Sequence, residues 1–516
     1  MKKTLKAFIS IIIRILFWVV SLFLLFIGIA GKPLTDWYKH TFNTNFREII
    51  YTFGLGLKGA DISFFKEAYS ECRKELLLFF AVAAICILTI LLLDVIDQRT
   101  KRNSIKDSKP GSVKIFRGIC RILILCTGII LFVPSYRYAD EILNVSGFLK
   151  SRFTTTTIYE DNYVSYEDTT IAAPEKKKNL IIIYMESMET TYASKDLGGY
   201  QDENLIPELT ELAQQNVSFG DRGNGMLGGT HNTIGTTWTT SAILASESGV
   251  PFSFRVGRNQ AGEEDAFAEN LPTLGDFLTE QGYRQMFLCG SDSEFGGKRA
   301  YFEQHGNFEI YDYYSAIEDG YIDKDYKVWW GLEDHRLYEI AKDRITELAS
   351  GSEPFNLTML TVDTHHVGGY KCDWCPDIYD SKTANVVACA DRQISDFVKW
   401  CSKQDFYDNT IIIILGDHPR MDKKLVKDVD KFEREAYNCF INTRKKTDSG
   451  NTRLATTMDL FPTIISAMGY DIEGDRLGLG TNLFSDRKTL AEEMTYEKFN
   501  DEIGKNSKYF HKHFDN

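Results

Sequence analysis

Clusters of basic residues are missing from the larger part of this 516-residue chain. The formal net charge is −13, and no stripe of lysine and arginine runs through the region after residue 135. Nucleic-acid-binding surfaces need such clusters to neutralise phosphates, so we expect no nucleic acid partner. Internal repeats and low-complexity segments are missing as well.

A second Cys-x-x-Cys pair is also missing from the ten cysteines of the chain. Cys372 and Cys375 form a single pair, so the usual spacing of a four-cysteine zinc site is absent and a structural zinc is not expected. If this region lies outside the cytoplasm, we expect a disulfide between Cys389 and either Cys372 or Cys375.

Long apolar runs are confined to a membrane region, predicted over residues 1–135. Its three apolar segments, at about 8–31, 76–93 and 113–133, match the length that a bilayer core demands. The first segment follows a basic N-terminus, as a signal peptide does. No small-residue cleavage pattern follows it and further apolar segments come later, so we interpret it as a retained helix.

The distribution of basic residues predicts the sidedness of these spans. The N-terminus is basic, and so is the segment 99–114 between the second and third spans, which includes Lys106 and Lys109. The positive-inside rule places both in the cytoplasm. Three spans then put everything after about Pro134 outside the cell membrane, whereas two would reverse this orientation.

The rest of the chain divides into a linker at 136–177, a catalytic domain at 178–500 and a C-terminal tail at 501–516. Within the domain, short apolar runs typical of buried strands alternate with amphipathic stretches typical of helices. This alternation predicts an α/β fold with an open, mostly parallel central sheet flanked by helices. The strands are predicted at 179–185, 285–288, 357–362 and 409–415, and the helices at 271–281 and 337–348.

Ligands of such sheets bind beyond the carboxyl ends of the strands. Glu186 follows the first strand, and Asp417 and His418 follow the last one. Alone, Glu186 is explained as a carboxylate at the start of a helix. An Asp-His pair after an apolar strand is costly without a ligand, so the three residues together predict a mixed oxygen and nitrogen metal site.

A hydroxyl-rich stretch at 228–251 runs up to Trp238, after which a helical pattern begins near Thr240. A hydroxyl at this junction can lie at a helix N-terminus and face an anion; it can equally be an ordinary N-cap. Spacing alone does not choose between Thr236, Thr237, Thr239 and Thr240.

Two further groups of residues carry weaker signals. His365 and His366 follow a predicted strand and offer imidazoles that can bind metal or transfer a proton. Lys298 and Arg299 lie in a glycine-rich stretch and offer cations suited to phosphate oxygens. A histidine pair is often structural, and cations in such a loop are often simply solvated.

Taken in order, these motifs resemble the lipoteichoic acid synthase and phosphoglycerol transferase family, whose sulfatase-like catalytic domain belongs to the alkaline phosphatase superfamily. The resemblance covers about residues 179–484 and is closest to the phosphoglycerol transferase branch. The motifs that carry it are Met-Glu-Ser at 185–187, Gly-Thr-Thr-Trp-Thr at 235–239, Asp-Thr-His-His at 363–366 and Gly-Asp-His-Pro at 416–419.

The resemblance implies a membrane phosphotransferase with an extracytoplasmic catalytic domain. It would move glycerol phosphate from phosphatidylglycerol, through a covalent threonine, to a glycan, glycolipid or teichoic acid acceptor and release diacylglycerol. The implied metal shell is Glu186, Thr239, Asp417 and His418, holding Mn²⁺, or Mg²⁺ in its place, with Zn²⁺ less favoured. Thr239 matches the nucleophile and His365 the histidine beside the substrate phosphate. The candidate substrate-binding residues are Lys298, Arg299, His366 and Trp238.

Three other functions fit the sequence less well. A sulfatase needs Cys or Ser followed by Pro and Arg to form formylglycine, and here Thr239 is followed by Thr240, Ser241 and Ala242. A phosphoethanolamine transferase would share the fold and the threonine but tends towards zinc. A catalytically inactive membrane sensor is the third alternative, which the complete set of site residues disfavours.

Overall fold

The computed structural model describes residues 2–42, 44–54, 63–103, 112–223, 225–254, 267–427, 429, 434–443, 445 and 451–515. Lys106 and Lys109, used above for the sidedness prediction, lie outside the described residues. The chain forms two compact units: one contains residues 1–46 and 61–148, and the other contains residues 47–60 and 149–516.

The first part of the chain is helical. Its helices are α1 (Lys2–Phe42), α2 (Phe46–Gly54), α3 (Ser63–Asn103) and α4 (Ser112–Leu143). Among the described residues, three stretches are long and apolar enough to cross a membrane, and they overlap the three predicted spans: Ile11–Phe42, Lys66–Arg99 and Val113–Leu143.

Small residues bring α1 and α4 into close contact. A Cβ atom added at Gly28 would lie 2.6 Å from the Cβ of Leu131. The Ser135 hydroxyl on α4 donates a hydrogen bond to the Ile27 carbonyl at 2.7 Å. Glycine and serine at such contacts are typical of helices that pack in a membrane, because they allow the backbones to approach.

The second unit contains the remaining helices and all the named strands. Its first helix is α5 (Val145–Phe153), of which the residues from Leu149 onward belong to this unit. The others are α6 (Ile158–Asn162), α7 (Pro207–Gln215), α8 (Thr239–Ser248), α9 (Leu274–Glu280), α10 (Lys298–Gln304), α11 (Tyr313–Glu318), α12 (Asp334–Ala349), α13 (Lys382–Cys401), α14 (Leu460–Ala467), α15 (Leu490–Met494), α16 (Tyr496–Ile503) and α17 (Lys508–His513). Its strands are β1 (Ile171–Ala172), β2 (Asn179–Met185), β3 (Thr230–His231), β4 (Arg284–Cys289), β5 (Glu309–Tyr311), β6 (Phe355–Leu360), β7 (Thr410–Gly416), β8 (Glu435–Ala436), β9 (Asn438–Ile441), β10 (Asp471–Ile472), β11 (Arg476–Leu477) and β12 (Gly480–Thr481).

The central sheet has six strands in the order β5-β4-β6-β2-β7-β9. All neighbours are parallel except β7 and β9, which are antiparallel. Every residue of β2 and β7 is buried, which explains why both read as continuous apolar runs rather than alternating ones. The predicted α/β fold with a mostly parallel sheet is confirmed.

Helices cover both faces of this sheet. Leu180 and Ile182 of β2 belong to a hydrophobic cluster that includes residues of α8, α9, α10 and α14. Ile181 and Ile183 point the other way, into a cluster with residues of α7, α12 and α13. Side chains alternate between the two faces of a strand, so an uninterrupted apolar strand requires helices on both sides.

The predicted linker and the predicted tail both contain secondary structure. Within the predicted linker 136–177, α4 continues to Leu143, and β1 pairs with β10. Within the predicted tail, Phe510 and Phe514 are buried in the hydrophobic core. Tyr159 packs against Phe510 and Tyr163 against Phe514, and local periodicity does not reveal contacts between such distant parts of the sequence.

Candidate active site

The register of two neighbouring parallel strands brings the predicted metal ligands together. Met185, the last residue of β2, is paired with Gly416, the last residue of β7. Glu186 and Asp417 therefore leave the sheet side by side at its carboxyl edge. The Asp417 carboxylate accepts hydrogen bonds from the backbone N–H groups of Ser187 at 2.7 Å and His418 at 2.8 Å, which fixes one of its oxygens.

Glu186, Asp417 and His418 form a buried cluster whose candidate ligand atoms lie within 4.8 Å of one another. The Nε2 atom of His418 is 3.4 Å from Asp417 Oδ2 and 3.8 Å from Glu186 Oε1. Its Nδ1 atom lies 3.0 Å from the Pro419 carbonyl. A proton on Nδ1, donated to that carbonyl, leaves the Nε2 lone pair directed at the carboxylates, as metal-binding histidines require.

The residues of this cluster fit a divalent cation. Asp417 Oδ2 is buried and has no hydrogen-bond partner among the residues that the structure describes, which is costly for a carboxylate without a ligand. Burial and the nearby Glu186 raise the pKa of Asp417 to about 7. Burial also disfavours ionised Glu186, but His365 and His418, together with hydrogen bonds from Ser187 and Thr239, lower the pKa of Glu186 on balance. Two buried carboxylates and an imidazole are a suitable ligand set for Mn²⁺, Mg²⁺ or Zn²⁺.

Thr239 is the first residue of α8. Its hydroxyl donates a hydrogen bond to Glu186 Oε2 at 3.2 Å, so it lies beside the cluster and at the positive end of a helix. The structure thereby distinguishes it from its neighbours. The Thr236 hydroxyl donates to the Thr233 carbonyl and the Thr240 hydroxyl to the Gly296 carbonyl, at 3.1 and 2.9 Å.

His365 lies beyond the end of β6, the other neighbour of β2. Its Nδ1 atom is 2.6 Å from the His366 carbonyl, and its ring meets the edge of Trp330 at 4.9 Å. Burial lowers the pKa of His365 although Glu186 acts in the opposite direction. His366 is buried and stacks on His365 at 4.3 Å.

The two candidate cations have different surroundings. Lys298 is only 5% exposed, and burial lowers its pKa although nearby groups that include Glu186 raise it. Arg299 instead forms ion pairs with Asp312 and Glu303, at 3.1 and 3.0 Å. The geometry therefore favours Lys298 over Arg299 as a contact for an anionic substrate.

Trp238 and the α2 segment form a wall next to Thr239. Trp238 packs against Tyr51 and Phe252, with ring centroids 6.1 and 5.4 Å apart. Glu48, also on α2, accepts a hydrogen bond from the Thr237 hydroxyl at 2.5 Å. Sequence reasoning did not find Glu48, because it lies between two apolar segments and far from every motif of the site.

This arrangement defines a class of protein: an α/β domain with a candidate metal site beside a candidate nucleophile at the carboxyl edge of a parallel sheet. The sulfatase family model matches residues 178–470, which is more than half of the chain. The protein belongs to the sulfatase family.

Curated relatives include phosphoglycerol transferase I from Xanthomonas euvesicatoria pv. vesicatoria (strain 85-10), which is 30% identical over 317 residues, covering 60% of this chain and 43% of the relative. Phosphoglycerol transferase I from Escherichia coli (strain 55989 / EAEC) is 28% identical over 327 residues, covering 62% and 41%. The match thus spans less than half the length of these relatives.

One similar solved structure is the lipooligosaccharide phosphoethanolamine transferase A from Neisseria meningitidis, with 12% identity, a TM-score of 0.49 and coverage of 86% of this chain and 83% of that chain. Another is the lipoteichoic acid synthase LtaP from Listeria monocytogenes, with 16% identity, a TM-score of 0.46 and coverage of 64% and 81%.

Proposed function

We propose that the protein is a membrane-bound phosphoglycerol transferase that uses Thr239 as a covalent nucleophile. It takes glycerol phosphate from phosphatidylglycerol, releases diacylglycerol and passes the group to a hydroxyl of an extracytoplasmic glycan, glycolipid or teichoic acid. The observation that carries the proposal is the hydrogen bond of 3.2 Å from the Thr239 hydroxyl to Glu186, at the edge of the buried carboxylate and imidazole cluster.

The relatives support the choice of the transferred group. The curated relatives are phosphoglycerol transferases I, but the match covers less than half of each, so the donor and the acceptor are part of the proposal. Sulfate ester hydrolysis is not proposed, because Thr239 is not the cysteine or serine from which formylglycine is made.

Mn²⁺, or Mg²⁺ in its place, held by Glu186, Asp417, His418 and Thr239, would supply Lewis acid chemistry at the phosphate. The side chains themselves orient and activate the nucleophile. The Glu186 carboxylate accepts the hydrogen bond of the Thr239 hydroxyl and is placed to hold its proton as attack proceeds. The N-terminus of α8 favours the negative charge of the phosphate beside Thr239.

The first step exchanges one phosphate ester bond for another. Thr239 Oγ1 forms a bond to phosphorus while the bond from phosphorus to the diacylglycerol oxygen breaks. The departing oxygen takes a proton from His365. Burial lowers the pKa of this imidazole, but an anionic phosphodiester beside it favours the protonated ring.

In the second step an acceptor hydroxyl attacks the glycerophosphoryl-threonine. His365, now neutral, accepts the proton of the acceptor hydroxyl. The bond between phosphorus and Thr239 breaks, and the threonine oxygen regains a proton from Glu186. The enzyme returns to its starting state without any nucleotide.

Several features support an extracytoplasmic site. The described residues of the segments 47–60, between α1 and α3, and 149–516 belong to one compact unit, which supports placing both segments on one side of the membrane. Consequently α3 and α4 cross the membrane as a pair or not at all. Since α3 contains a strongly apolar stretch, this supports α4 as the third span. Together with the positive-inside rule, this supports a catalytic domain outside the cytoplasm.

The proposal is tested with the full chain in detergent, Mn²⁺ and fluorescent phosphatidylglycerol, by following diacylglycerol release. We expect release by the wild type, loss of release by Thr239→Ala, and partial activity of Thr239→Ser, which keeps a hydroxyl. Thr346→Ala, at an exposed position of α12, is the matched control and should behave as the wild type.

Undiminished release by Thr239→Ala would overturn the role of Thr239. Release from phosphatidylethanolamine but not from phosphatidylglycerol would overturn the donor and indicate a phosphoethanolamine transferase. The absence of release from both lipids, in a protein that binds Mn²⁺, would overturn the transferase itself.

A further inference from the structure

Three cysteines meet at a point that the proposed reaction does not use. Cys372 and Cys375 lie in the loop that follows the two histidines, and Cys389 lies on α13. The sulfur of Cys372 is 3.5 Å from that of Cys375 and 3.9 Å from that of Cys389. All three sulfurs lie within 4.8 Å of one another. The sequence analysis expected a disulfide from Cys389 to one member of this pair, if the domain is extracytoplasmic, and no structural zinc.

The spacing of the sulfurs matches that of thiolates around a shared metal ion. A disulfide bond is about 2.05 Å long. Thiolates that bind one tetrahedral Zn²⁺ at about 2.3 Å are about 3.8 Å apart, close to both separations found here. We propose that Cys372, Cys375 and Cys389 form a metal site for Zn²⁺ or a similar thiophilic divalent ion, separate from the active site.

The surroundings of Cys389 suit a thiolate ligand. The side-chain amide of Gln393, one turn further along α13, donates a hydrogen bond to the Cys389 sulfur at 3.1 Å. Arg392, three residues after Cys389 on the same helix, adds a positive charge nearby. Hydrogen bonds to ligand sulfurs, and a nearby cation that offsets their charge, are the outer contacts expected around a metal site.

The location suggests what the ion would stabilise. Residues 363–370, which carry both histidines, lead directly into Cys372. The backbone N–H of Tyr370 donates a hydrogen bond to the Asp363 carbonyl at 2.7 Å. Binding Cys372 and Cys375 to Cys389 therefore ties the loop beside His365 to the long, buried helix α13. The ion would position the histidine without touching the substrate.

The test uses the full chain purified in detergent without chelator or reductant. Asp417→Asn is introduced to remove one carboxylate of the cluster at Glu186. A further group of candidate ligands, Asp221, His231 and Glu435, contains no cysteine, so only metal that a thiol reagent releases is assigned to the cysteines. We expect about one zinc-class ion per chain, released by a mercurial reagent that caps thiolates. Cys375→Ser should lower this content to near zero. Cys401→Ser, at a buried cysteine at the far end of the same helix, should leave it unchanged.

Cobalt substitution provides a second measurement that does not depend on a cysteine variant folding. Co²⁺ bound by thiolates gives an intense near-ultraviolet charge-transfer band, which carboxylate and imidazole ligands do not give. The band in protein that carries only Asp417→Asn, and its loss when a mercurial is added, would support the site. A disulfide-linked Cys389 peptide in the unreduced digest, or cobalt binding without the band, would overturn it.

Discussion

Glu247 is a buried carboxyl group that links three elements next to the site, α8, β2 and α10. It lies on α8, the helix that begins at Thr239. It accepts hydrogen bonds of 3.2 Å from the hydroxyls of Tyr184 on β2 and Tyr301 on α10. Since β2 leads to Glu186, this one side chain links α8, which begins at Thr239, to the strand that precedes Glu186.

The proton on Glu247 makes the stability of the domain depend on pH. Burial raises its pKa from 4.5 to about 8. Above about pH 4.5 the unfolded chain loses this proton while the folded chain keeps it, so the free energy of unfolding falls as pH rises towards 8. Each pKa unit corresponds to about 1.36 kcal/mol, so the fall is at most about 5 kcal/mol; relaxation of the folded state makes it smaller.

Glu247→Gln removes the ionisable group and keeps its shape and an acceptor oxygen. We expect the variant to lose less stability than the wild type between about pH 5 and about pH 8.5, by about 2 kcal/mol or more. Denaturant-induced unfolding of the full chain at both pH values measures this, with Glu339→Gln, at a largely exposed glutamate on α12, as the control. Equal loss of stability in Glu247→Gln and the wild type would refute the reasoning.

Three further predictions concern the site itself. We expect Mn²⁺ to raise the melting temperature of the wild type. Asp417→Asn removes one carboxylate of the metal cluster, so this rise should disappear in the variant. A rise equal to that of the wild type would contradict the assignment of Asp417 as a metal ligand. Glu48→Gln weakens the hydrogen bond from Thr237, and a hydrogen bond to a charged group is worth about 1.5–3 kcal/mol. Turnover should therefore fall about tenfold or more, while Mn²⁺ should still raise the melting temperature. Unchanged turnover would show that Glu48 has no role in the site. Lys298→Met keeps the apolar part of the side chain and removes the positive charge. The KM for the lipid donor should therefore rise about tenfold or more. An unchanged KM would show that Lys298 does not contact the donor.

The fold was accessible from the sequence where the physical signal is local. The run Asn179–Met185 is continuous and apolar because the strand is buried on both faces, and the structure has it at these bounds. The meeting of Glu186 with Asp417 followed from the rule that parallel strands end at the same edge of a sheet. Element boundaries were less accurate, and the helix predicted at 271–281 is Leu274–Glu280 in the structure.

The choice among the threonines depended on contacts between distant parts of the chain. Thr237 and Thr239 have the same chemistry and nearly the same position in sequence. They differ because one hydroxyl meets Glu48 and the other meets Glu186. The partner Glu48 is 189 residues away from Thr237, and no periodicity encodes such a contact. The wall that α2 contributes was therefore beyond a sequence-based prediction.

The central claim is that the phosphoglycerol group passes through Thr239, and intact-mass analysis of the full chain tests it most directly. The protein is incubated with Mn²⁺ and phosphatidylglycerol in the absence of an acceptor and is then acid-quenched. We predict one glycerophosphoryl group per chain, located on Thr239 by peptide mapping, with diacylglycerol formed in equal amount and no adduct on Thr239→Ala. Diacylglycerol release with an unmodified Thr239, or an adduct on another residue, would contradict the account.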